Sequence, residues 1–269
     1  MFTQKAPPAR FVIPADDVKI ATYDFGDPDA PVVIAIHGFA SSGLLNWHTS
    51  KWTRDLVAAG FRVIAIDQRG HGASNKPHDR RQYTMELLVD DVRQVLDSFM
   101  IHEVDLLGYS LGARVGWRAA LEMPGRIRRV VLGGIPNGDP LVRFRLDQAR
   151  DRIRDGTEVT DALTGIYLRM AEGVQGNDLT ALVALVEGMR GGEQPDPADP
   201  PLQPILFATG SADPILEESR ALAAAVAGSS FLEIPGRNHF TAPSARSFRT
   251  AATAFLRDET PTVLVTAAP

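Results

Sequence analysis

Residues 103–116, EVDLLGYSLGARVG, set a serine between two glycines where a short apolar run passes into a helical pattern. The run 104–107 predicts a buried strand, and the residues after Ser110 predict an amphipathic helix. A nucleophile on a sharp strand-to-helix turn needs small residues two places before and after it, and Gly108 and Gly112 stand there. The pattern alone is weak in a chain with 23 glycines, but its place on such a turn makes Ser110 a candidate nucleophile. The alternative is that Ser110 only caps the N-terminus of the helix.

Short apolar runs recur on both sides of this turn and alternate with helical patterns. Continuous apolar character over a few residues is typical of strands buried on both faces of a parallel sheet. The sequence therefore predicts an α/β fold with a doubly wound, mostly parallel sheet. Residues 11–13 and 18–23 predict an antiparallel hairpin at its edge, which brings the sheet to eight strands. The other predicted strands are 32–36, 61–66, 104–107, 130–132, 205–208 and 230–234, and the predicted helices are 52–59, 84–100, 111–122, 217–227 and 245–257.

Between residues 136 and 203 the alternation gives way to helical patterns and a proline-rich return at 191–201. Helices inserted between two strands of one sheet most simply form a small cap over the carboxyl edge of the strands, where open α/β sheets bind ligands. The predicted division is a core of residues 1–135 and 204–269 with a helical cap of residues 136–203, and a loose tail is expected at 258–269. The expected cap helices are 139–154, 159–173 and 178–190, and their apolar residues that could line a pocket are Leu163, Ile166, Tyr167, Leu168, Met170, Leu182, Leu185 and Met189.

Two further loops carry the partners that a serine nucleophile needs. A serine hydroxyl is a poor nucleophile at neutral pH unless a base takes its proton and a carboxylate orients that base. Asp213 follows the predicted strand 205–208, and His239 follows the predicted strand 230–234. Because parallel strands end at the same edge of a sheet, we expect both loops to lie beside Ser110.

Four signals thus stand in order along the chain: HGF at 37–39, DQRGHGAS at 67–74, GYSLGA at 108–113, and GSAD with GRNHF near the C-terminal end. With them the chain resembles the serine hydrolases of the α/β-hydrolase fold over about residues 11–257. It is similar to the small capped members, which include carboxylesterases, haloperoxidase-like enzymes and carbon–carbon bond hydrolases. The resemblance is specific for the fold and strong for the catalytic triad, and it is weak for the substrate.

The resemblance implies a role for each residue of the site. Ser110 would be the nucleophile, His239 the general base and then the general acid, and Asp213 the carboxylate that holds His239 in its useful tautomer. The backbone N–H groups of Phe39 and Leu111 would form the oxyanion hole. The residues that would support the site are His37, Gly38 and Tyr109, and no cofactor is implied.

Other charged residues have more than one interpretation. Asp139 is the alternative carboxylate, because some members of the family place that residue after the preceding strand. Asp67 and Arg69 are expected to form an ion pair that fixes their loop. The arginines at the start of the cap are expected to form a solvated helix face, with a carboxylate or phosphate clamp as the alternative. They are Arg143, Arg145, Arg150, Arg152 and Arg154.

Single residues separate the reactions that this fold is known to carry. Haloalkane dehalogenases and epoxide hydrolases of the family use an aspartate nucleophile, where this chain has Ser110. Carbon–carbon bond hydrolases usually have Asn before the nucleophile and Trp after the base, and here Tyr109 and Phe240 stand at those positions. Haloperoxidase-like members usually have Met after the nucleophile, where this chain has Leu111. We therefore expect hydrolysis of carboxylic esters or thioesters, with carbon–carbon cleavage, perhydrolysis or non-catalytic ligand binding as alternatives.

The composition excludes several other classes of function. The 269 residues carry 28 Lys and Arg against 33 Asp and Glu, a formal net charge of −5, so neither nucleic acid nor an anionic membrane is an expected partner. The absence of cysteine excludes thiolate nucleophiles and cysteine metal sites. None of the six histidines stands at metal-ligand spacing with a carboxylate, so no metal is expected. Residues 1–11 lack a signal-peptide pattern, which favours a cytoplasmic location. The expected partner is a small-molecule ester or thioester, and the expected state is a monomer or homodimer.

Overall fold

An eight-stranded sheet runs through residues 5–259, the part of the chain that the computed structural model describes. Its strands are β1 (Arg10–Val12), β2 (Ile20–Phe25), β3 (Val32–Ile36), β4 (Arg62–Ile66), β5 (Val104–Tyr109), β6 (Ile127–Gly133), β7 (Ile205–Gly210) and β8 (Ser230–Ile234). The order across the sheet is β1-β2-β4-β3-β5-β6-β7-β8. β2 is antiparallel to both of its neighbours, and every pair from β4 to β8 is parallel. The predicted mostly parallel sheet with an edge hairpin is therefore confirmed.

Helices connect the parallel strands, as the alternating sequence pattern predicts. They are α1 (Trp52–Ala58), α2 (Met85–Ser98), α3 (Leu111–Glu122), α4 (Leu146–Asp155), α5 (Ala162–Glu172), α6 (Leu179–Met189), α7 (Leu216–Ala225) and α8 (Arg246–Leu256). A π-helical turn at Leu44–Thr49 and 3₁₀ turns at Arg80–Gln82, Pro140–Arg143 and Ala242–Ser244 lie between them. Ser110 is the single residue between the end of β5 and the start of α3.

Both sides of the sheet are covered, because alternate residues of a strand face opposite sides. In β3, Val33 and Ala35 pack on one side with residues of α1 and α8, and Ile34 and Ile36 pack on the other side with residues of α2, α3 and α7. All four side chains are fully buried. Burial of one Val or Ile side chain contributes about 1.5–3 kcal/mol, so this central strand fixes the position of the loops at its carboxyl end.

The helices α4, α5 and α6 lie between β6 and β7, where the sequence predicts a cap. The first of them begins later than predicted, at Leu146 and not at residue 139, because Pro140–Arg143 forms a separate 3₁₀ turn. Arg145 ends that connection, and its backbone N–H donates to Thr164 Oγ1 of α5. The division into core and cap at residues 136 and 203 stays a prediction.

Two predictions concern the ends of the chain and the membrane. Of the predicted tail, Asp258 and Glu259 follow α8, and residues 260–269 lie outside the described residues. Asp258 forms an ion pair of 2.8 Å with Arg129. Within residues 5–259, no helix has both the length and the apolar character that a bilayer crossing requires.

Candidate active site

Ser110 lies on a strained turn between β5 and α3. Its φ of 53° and ψ of −115° fall where side-chain-bearing residues are rarely found. The turn is tight on both sides: a Cβ on Gly108 would lie 2.4 Å from the carbonyl oxygen of Gly112, and a Cβ on Gly112 would lie 2.1 Å from that of Ile36. The two glycines are therefore required by close backbone contact, as the sequence pattern predicts. The side chain of Ser110 forms no capping hydrogen bond with α3, which disfavours the capping interpretation.

Three side chains that are far apart in sequence form one hydrogen-bonded chain. The Ser110 hydroxyl lies 2.9 Å from His239 Nε2, and His239 Nδ1 lies 2.8 Å from Asp213 Oδ2. Asp213 is buried, and its other oxygen accepts a hydrogen bond from the N–H of Ile215. With Nδ1–H donating to the carboxylate, Nε2 is free to accept the serine proton. The structure thus brings together the three residues that the sequence analysis selected.

The fold places these side chains because β5, β7 and β8 end at the same edge of the sheet. The loop after β7 is tied to the loop after β8, since Ala212 N–H donates to the carbonyl of Arg237. Asn238 Oδ1 accepts the N–H groups of Phe240 and Thr241, which turns the chain sharply around His239. Each loop is therefore held by short-range hydrogen bonds as well as by its strand.

Tyr109, next to Ser110, holds the loop that carries His239. Its hydroxyl donates to the backbone carbonyl of His239 at 2.6 Å, and its ring centroid lies 5.4 Å from that of the imidazole. Burial raises the pKa of the Tyr109 hydroxyl well above its ordinary value, so the group stays a hydrogen-bond donor at neutral pH. The residue predicted to support the site contacts it through the backbone of His239.

Asp139, the alternative carboxylate, has other partners. Its Oδ2 accepts the N–H of Gly191 at 3.0 Å, and its Oδ1 lies 4.0 Å from Nη1 of the buried Arg114. His239 Nδ1 bonds with Asp213 instead. The geometry therefore favours Asp213 over Asp139 as the partner of the imidazole.

The two backbone groups predicted as an oxyanion hole flank Ser110. Leu111 is the first residue of α3, where backbone N–H groups lack partners within the helix. Phe39 follows Gly38, and a Cβ on Gly38 would lie 3.2 Å from the Cβ of Ser110. The absence of a side chain at Gly38 thus lets the loop after β3 approach Ser110, and the role of the two N–H groups stays a prediction.

His37 and His71 fix the loops around the site and do not line it. His37 Nδ1–H donates to the Gly38 carbonyl at 2.7 Å, and Nε2 accepts the Gln68 N–H at 3.1 Å. His71 Nδ1–H donates to the Arg69 carbonyl, and Nε2 accepts the N–H of Ala40. Burial lowers the pKa of both imidazoles below the ordinary value, most strongly for His71, so each ring is neutral.

The predicted ion pair between Asp67 and Arg69 is wrong, because each residue has a different partner. Arg69 forms a bidentate pair with the buried Asp91 at 2.7 Å and also lies 2.9 Å from Asp16. Asp67 accepts the N–H groups of Gly43 and Ala73 and the hydroxyl of Tyr23. Both residues still fix loops, and neither lines the site, which agrees with the structural role expected for them.

Two cavities meet at Ser110. The first cavity has a volume of about 360 Å³ and the second about 320 Å³. Both are lined by Ser110, His239, Tyr167 and Phe240, so the last two rings form a shared wall. Phe39, Leu45, Met170 and Pro243 contribute to the first cavity, and Asp139, Arg143, Leu163, Pro214, Ile215 and Glu218 contribute to the second.

Of the eight apolar residues predicted to line a pocket from residues 136–203, three line these cavities. Tyr167 lines both cavities, Met170 lines the first and Leu163 lines the second. Ile166 is exposed, and the remaining four are buried in the core: Leu168, Leu182, Leu185 and Met189. The π-helical turn Leu44–Thr49 also lines the first cavity, which the sequence analysis missed because so short a turn leaves no periodic signal.

No group of three or more histidine or acidic side chains within residues 5–259 is placed to hold a metal ion. Two of the histidines already have both ring nitrogens hydrogen-bonded in loops, as described for His37 and His71. His239 is likewise engaged on both ring nitrogens by Asp213 and Ser110.

Comparison with known proteins places the chain among proteins of this architecture. A relative from Bacillus subtilis, named putative 2-succinyl-6-hydroxy-2,4-cyclohexadiene-1-carboxylate synthase, is 29% identical over 203 residues, which cover 67% of this chain and 72% of the relative. Epoxide hydrolase B of Mycobacterium tuberculosis is 38% identical over 113 residues, or 41% of this chain and 30% of that protein. The latter match thus spans less than a third of its relative.

Solved structures share the fold over nearly the whole chain. A hydrolase from Pseudomonas aeruginosa PA01 has a TM-score of 0.75 at 22% identity, covering 94% of this chain and 99% of its own. The enol-lactonase from Burkholderia xenovorans LB400 has a TM-score of 0.73 at 21% identity, covering 93% and 100%. A family model described as alpha/beta hydrolase fold matches residues 31–203. The chain therefore belongs to the alpha/beta hydrolase fold family.

Proposed function

We propose that this protein is a serine hydrolase that cleaves carboxylic esters or thioesters of small to medium acyl groups through an acyl-enzyme. The observation that carries the proposal is the chain of hydrogen bonds from Ser110 through His239 to Asp213, at 2.9 and 2.8 Å, on a strained turn that opens to two cavities. Nucleophile, base and orienting carboxylate in this geometry are what acyl transfer requires.

Acylation begins when Ser110 Oγ attacks the substrate carbonyl carbon and its proton passes to His239 Nε2. The negative charge that develops on the carbonyl oxygen is stabilised by the N–H groups of Phe39 and Leu111, and the positive end of the α3 dipole adds to that effect. Asp213 stabilises the imidazolium that forms. His239 then gives its proton to the departing alcohol or thiol, which leaves the acyl group on Ser110.

Deacylation reverses these roles with water as the nucleophile. His239 takes a proton from the water, the hydroxide adds to the acyl carbon, and the free acid leaves as Ser110 recovers its proton. The reaction uses no metal or organic cofactor. The two cavities offer separate room for the two halves of the ester, and the apolar wall of the first, which includes Leu45 and Met170, suits a hydrocarbon group.

A fluorophosphonate probe tests the proposal, because it reacts with an activated serine and leaves a stable adduct. We expect covalent labelling at Ser110 and turnover of a p-nitrophenyl ester panel in the wild-type protein, and neither of them in Ser110→Ala. Ser41→Ala is the matched control, since Ser41 lines the first cavity but lies outside the hydrogen-bonded chain. Equal labelling of the wild type and Ser110→Ala would rule out the proposed nucleophile.

A second candidate is carbon–carbon bond chemistry at the same three residues. It is favoured by the Bacillus subtilis relative aligned over 67% of this chain, which is named as a synthase and not as an esterase. Tyr109 and Phe240 stand where carbon–carbon bond hydrolases usually have Asn and Trp, which places this candidate second. Labelling at Ser110 without turnover of any ester or thioester in the panel would promote it, and an unlabelled protein would favour a ligand-binding role.

A further inference from the structure

Charged side chains lie on only one of the two cavities. Arg143, Asp139 and Glu218 line the second cavity together with Ser110 and His239. Within residues 5–259, the lining of the first cavity includes no lysine, arginine, aspartate or glutamate. The two halves of a substrate therefore meet different chemistry on either side of the nucleophile.

The carboxylate of Asp139 is compensated within the protein. It accepts the Gly191 N–H at 3.0 Å and lies 4.0 Å from the guanidinium of Arg114, which is 2% exposed. Asp213, another carboxylate on this cavity, is bound to His239. Of the acidic groups on the cavity, Glu218 is the exposed one, and it lies on the first turn of α7.

Arg143 differs from the other arginines at the start of the cap. Those four form ion pairs on the surface, as expected for a solvated helix face: Arg145 with Asp147, Arg150 with Glu187, Arg152 with Glu172, and Arg154 with Asp151 and Asp155. Arg143 is also exposed, and its charge acts on the Asp161 carboxylate at the start of α5, but it forms no ion pair within 4.0 Å among residues 5–259. It ends the 3₁₀ turn Pro140–Arg143, ahead of α4, and lines the second cavity instead.

The backbone at Arg143 is fixed by the residue that follows it. Phe144 is buried, and its ring lies edge-on to that of Phe39 with centroids 6.3 Å apart. Its carbonyl accepts a hydrogen bond from the guanidinium of Arg190. The side chain of Arg143 thus extends from an anchored backbone at the wall of a cavity that also contains the nucleophile.

We infer that the second cavity binds a substrate that carries a carboxylate, and that Arg143 recognises this group while the scissile carbonyl lies at Ser110. A guanidinium matches a carboxylate with two parallel N–H···O bonds, which gives orientation as well as attraction. Glu218 opposes the binding of anions that extend toward α7, so the favoured position of the carboxylate is beside Arg143. This inference rests on the proposed hydrolase function and narrows its substrate class.

Two matched ester pairs test the inference and show which half of the ester enters the second cavity. In one pair the charge is on the acyl side: monoethyl succinate and its neutral amide, ethyl succinamate. In the other it is on the alcohol side: the butyryl ester of glycolic acid and the corresponding glycolamide ester. The wild-type protein should prefer the acid over the amide in one of the two pairs.

The variant Arg143→Gln should lower kcat/KM for that acid about tenfold, chiefly through KM, and leave the amide within about twofold. Arg143→Lys should retain part of the preference, and Glu218→Gln should increase it. Arg145→Gln is the control, because Arg145 pairs with Asp147 on the surface and does not line the cavity. The inference would be overturned if the wild type turned over the amide as efficiently as the acid in both pairs. It would also be overturned if Arg143→Gln lowered kcat/KM equally for the acid and the amide.

A binding measurement separates this inference from the hydrolase proposal. In a calorimetric titration, succinate should bind the Ser110→Ala variant, and butyramide should bind it more weakly. The double variant Ser110→Ala/Arg143→Gln should bind succinate about tenfold more weakly than Ser110→Ala does. Succinate binding that depends on Arg143 in a protein that fluorophosphonate does not label would leave the carboxylate site standing without the hydrolase. Succinate binding that is absent, or unchanged by Arg143→Gln, would refute the site even if the hydrolase proposal holds.

Discussion

Ser110 adopts a backbone conformation that costs about 1–3 kcal/mol, and its surroundings leave it no other. Its N–H donates to the carbonyl of Gly133 in the neighbouring strand, and its carbonyl accepts the N–H groups of Ala113 and Arg114 in α3. The strand and the helix thus determine the turn from both sides. The strain directs the hydroxyl to the junction of the two cavities, where a substrate can reach it.

Asp213→Asn tests the assignment of the carboxylate at the scale of single residues. An amide can donate to His239 Nδ1 and so favour the wrong tautomer, with its proton on Nε2, which cannot accept the serine proton. We expect kcat for an ester substrate to fall by about 10³- to 10⁴-fold with little change in the overall fold. Steady-state kinetics and circular dichroism of the purified variant check both parts.

Asp139→Asn is the comparison, because Asp139 is the alternative carboxylate and lies on the same cavity. Its partners are Gly191 and Arg114, and the Asp213–His239 bond does not depend on it. The loss of kcat should therefore be at most a few-fold. A larger loss in Asp139→Asn than in Asp213→Asn would reverse the assignment.

The residues of the site could be predicted from sequence because each stands next to an element with a strong local signal. Ser110 follows a buried strand between two glycines, and Asp213 and His239 follow two further buried strands. The partner of Arg69 could not be predicted in the same way. Asp91 lies 22 residues away on α2, and only the packing of that helix against the loop brings the two together.

At the scale of elements, the contact between β3 and the start of α3 sets how closely the turn at Ser110 approaches the sheet. Gly112 is the residue that allows it, because its Cα faces the backbone of Ile36. A parallel strand and a helix N-terminus can approach this closely only where no side chain intervenes. The position of Ser110 relative to the loop after β3 depends on this approach.

Gly112→Ala should therefore destabilise the protein. A Cβ at this position would lie 2.1 Å from a backbone oxygen that has no freedom to move, so we expect a loss of at least about 2 kcal/mol in the free energy of unfolding, together with loss of ester turnover. Urea denaturation followed by tryptophan fluorescence measures the first effect.

Gly125→Ala is the control for that substitution. An added Cβ at Gly125 would meet no atom within 4 Å, and its φ is not in the left-handed region. We expect a change of less than about 0.5 kcal/mol, typical of surface substitutions. A similar loss in the free energy of unfolding in both variants would show that the close contact at Gly112 does not cause the destabilisation.

The segment between β6 and β7 shows what sequence patterns cannot supply at this scale. The helical periodicity located α5 and α6 to within a few residues, but it extended α4 toward its N-terminus across Pro140–Arg143. The error placed Arg143 on a helix face, whereas it lies on the 3₁₀ turn. The division of the site into two cavities depends on where Tyr167 meets Phe240, with ring centroids 5.8 Å apart, and no local pattern encodes that distance.

At the scale of the whole molecule, the buried histidines link stability to pH. His37 and His71 are fully buried and neutral, and burial lowers the pKa of each below its ordinary value of 6.5. In the unfolded chain both would bind protons below about pH 6.5, while in the folded chain they do not. The stabilisation is therefore complete above that pH and is lost as the pH falls.

Acidification from pH 7.5 to 5.5 should lower the free energy of unfolding, with a slope that approaches about 1.4 kcal/mol per pH unit for each histidine. His71→Gln should reduce this slope, since an amide can still accept the Ala40 N–H and does not titrate. His102→Gln, at an exposed position, is the control. Urea titrations at several pH values provide the measurement, and identical slopes in the wild type and His71→Gln would contradict the expectation.

The hydrogen bond between Ser110 and His239 joins positions 129 residues apart in sequence, and it depends on β8, the strand at the far edge of the sheet, having docked beside β7. Contacts of such separation close late in folding, because the intervening chain must first be ordered. Under the proposed function, the rate at which ester turnover recovers after dilution from denaturant therefore reports when β8 docks. The helical circular dichroism signal should recover first, and catalysis should recover later as a separate kinetic phase.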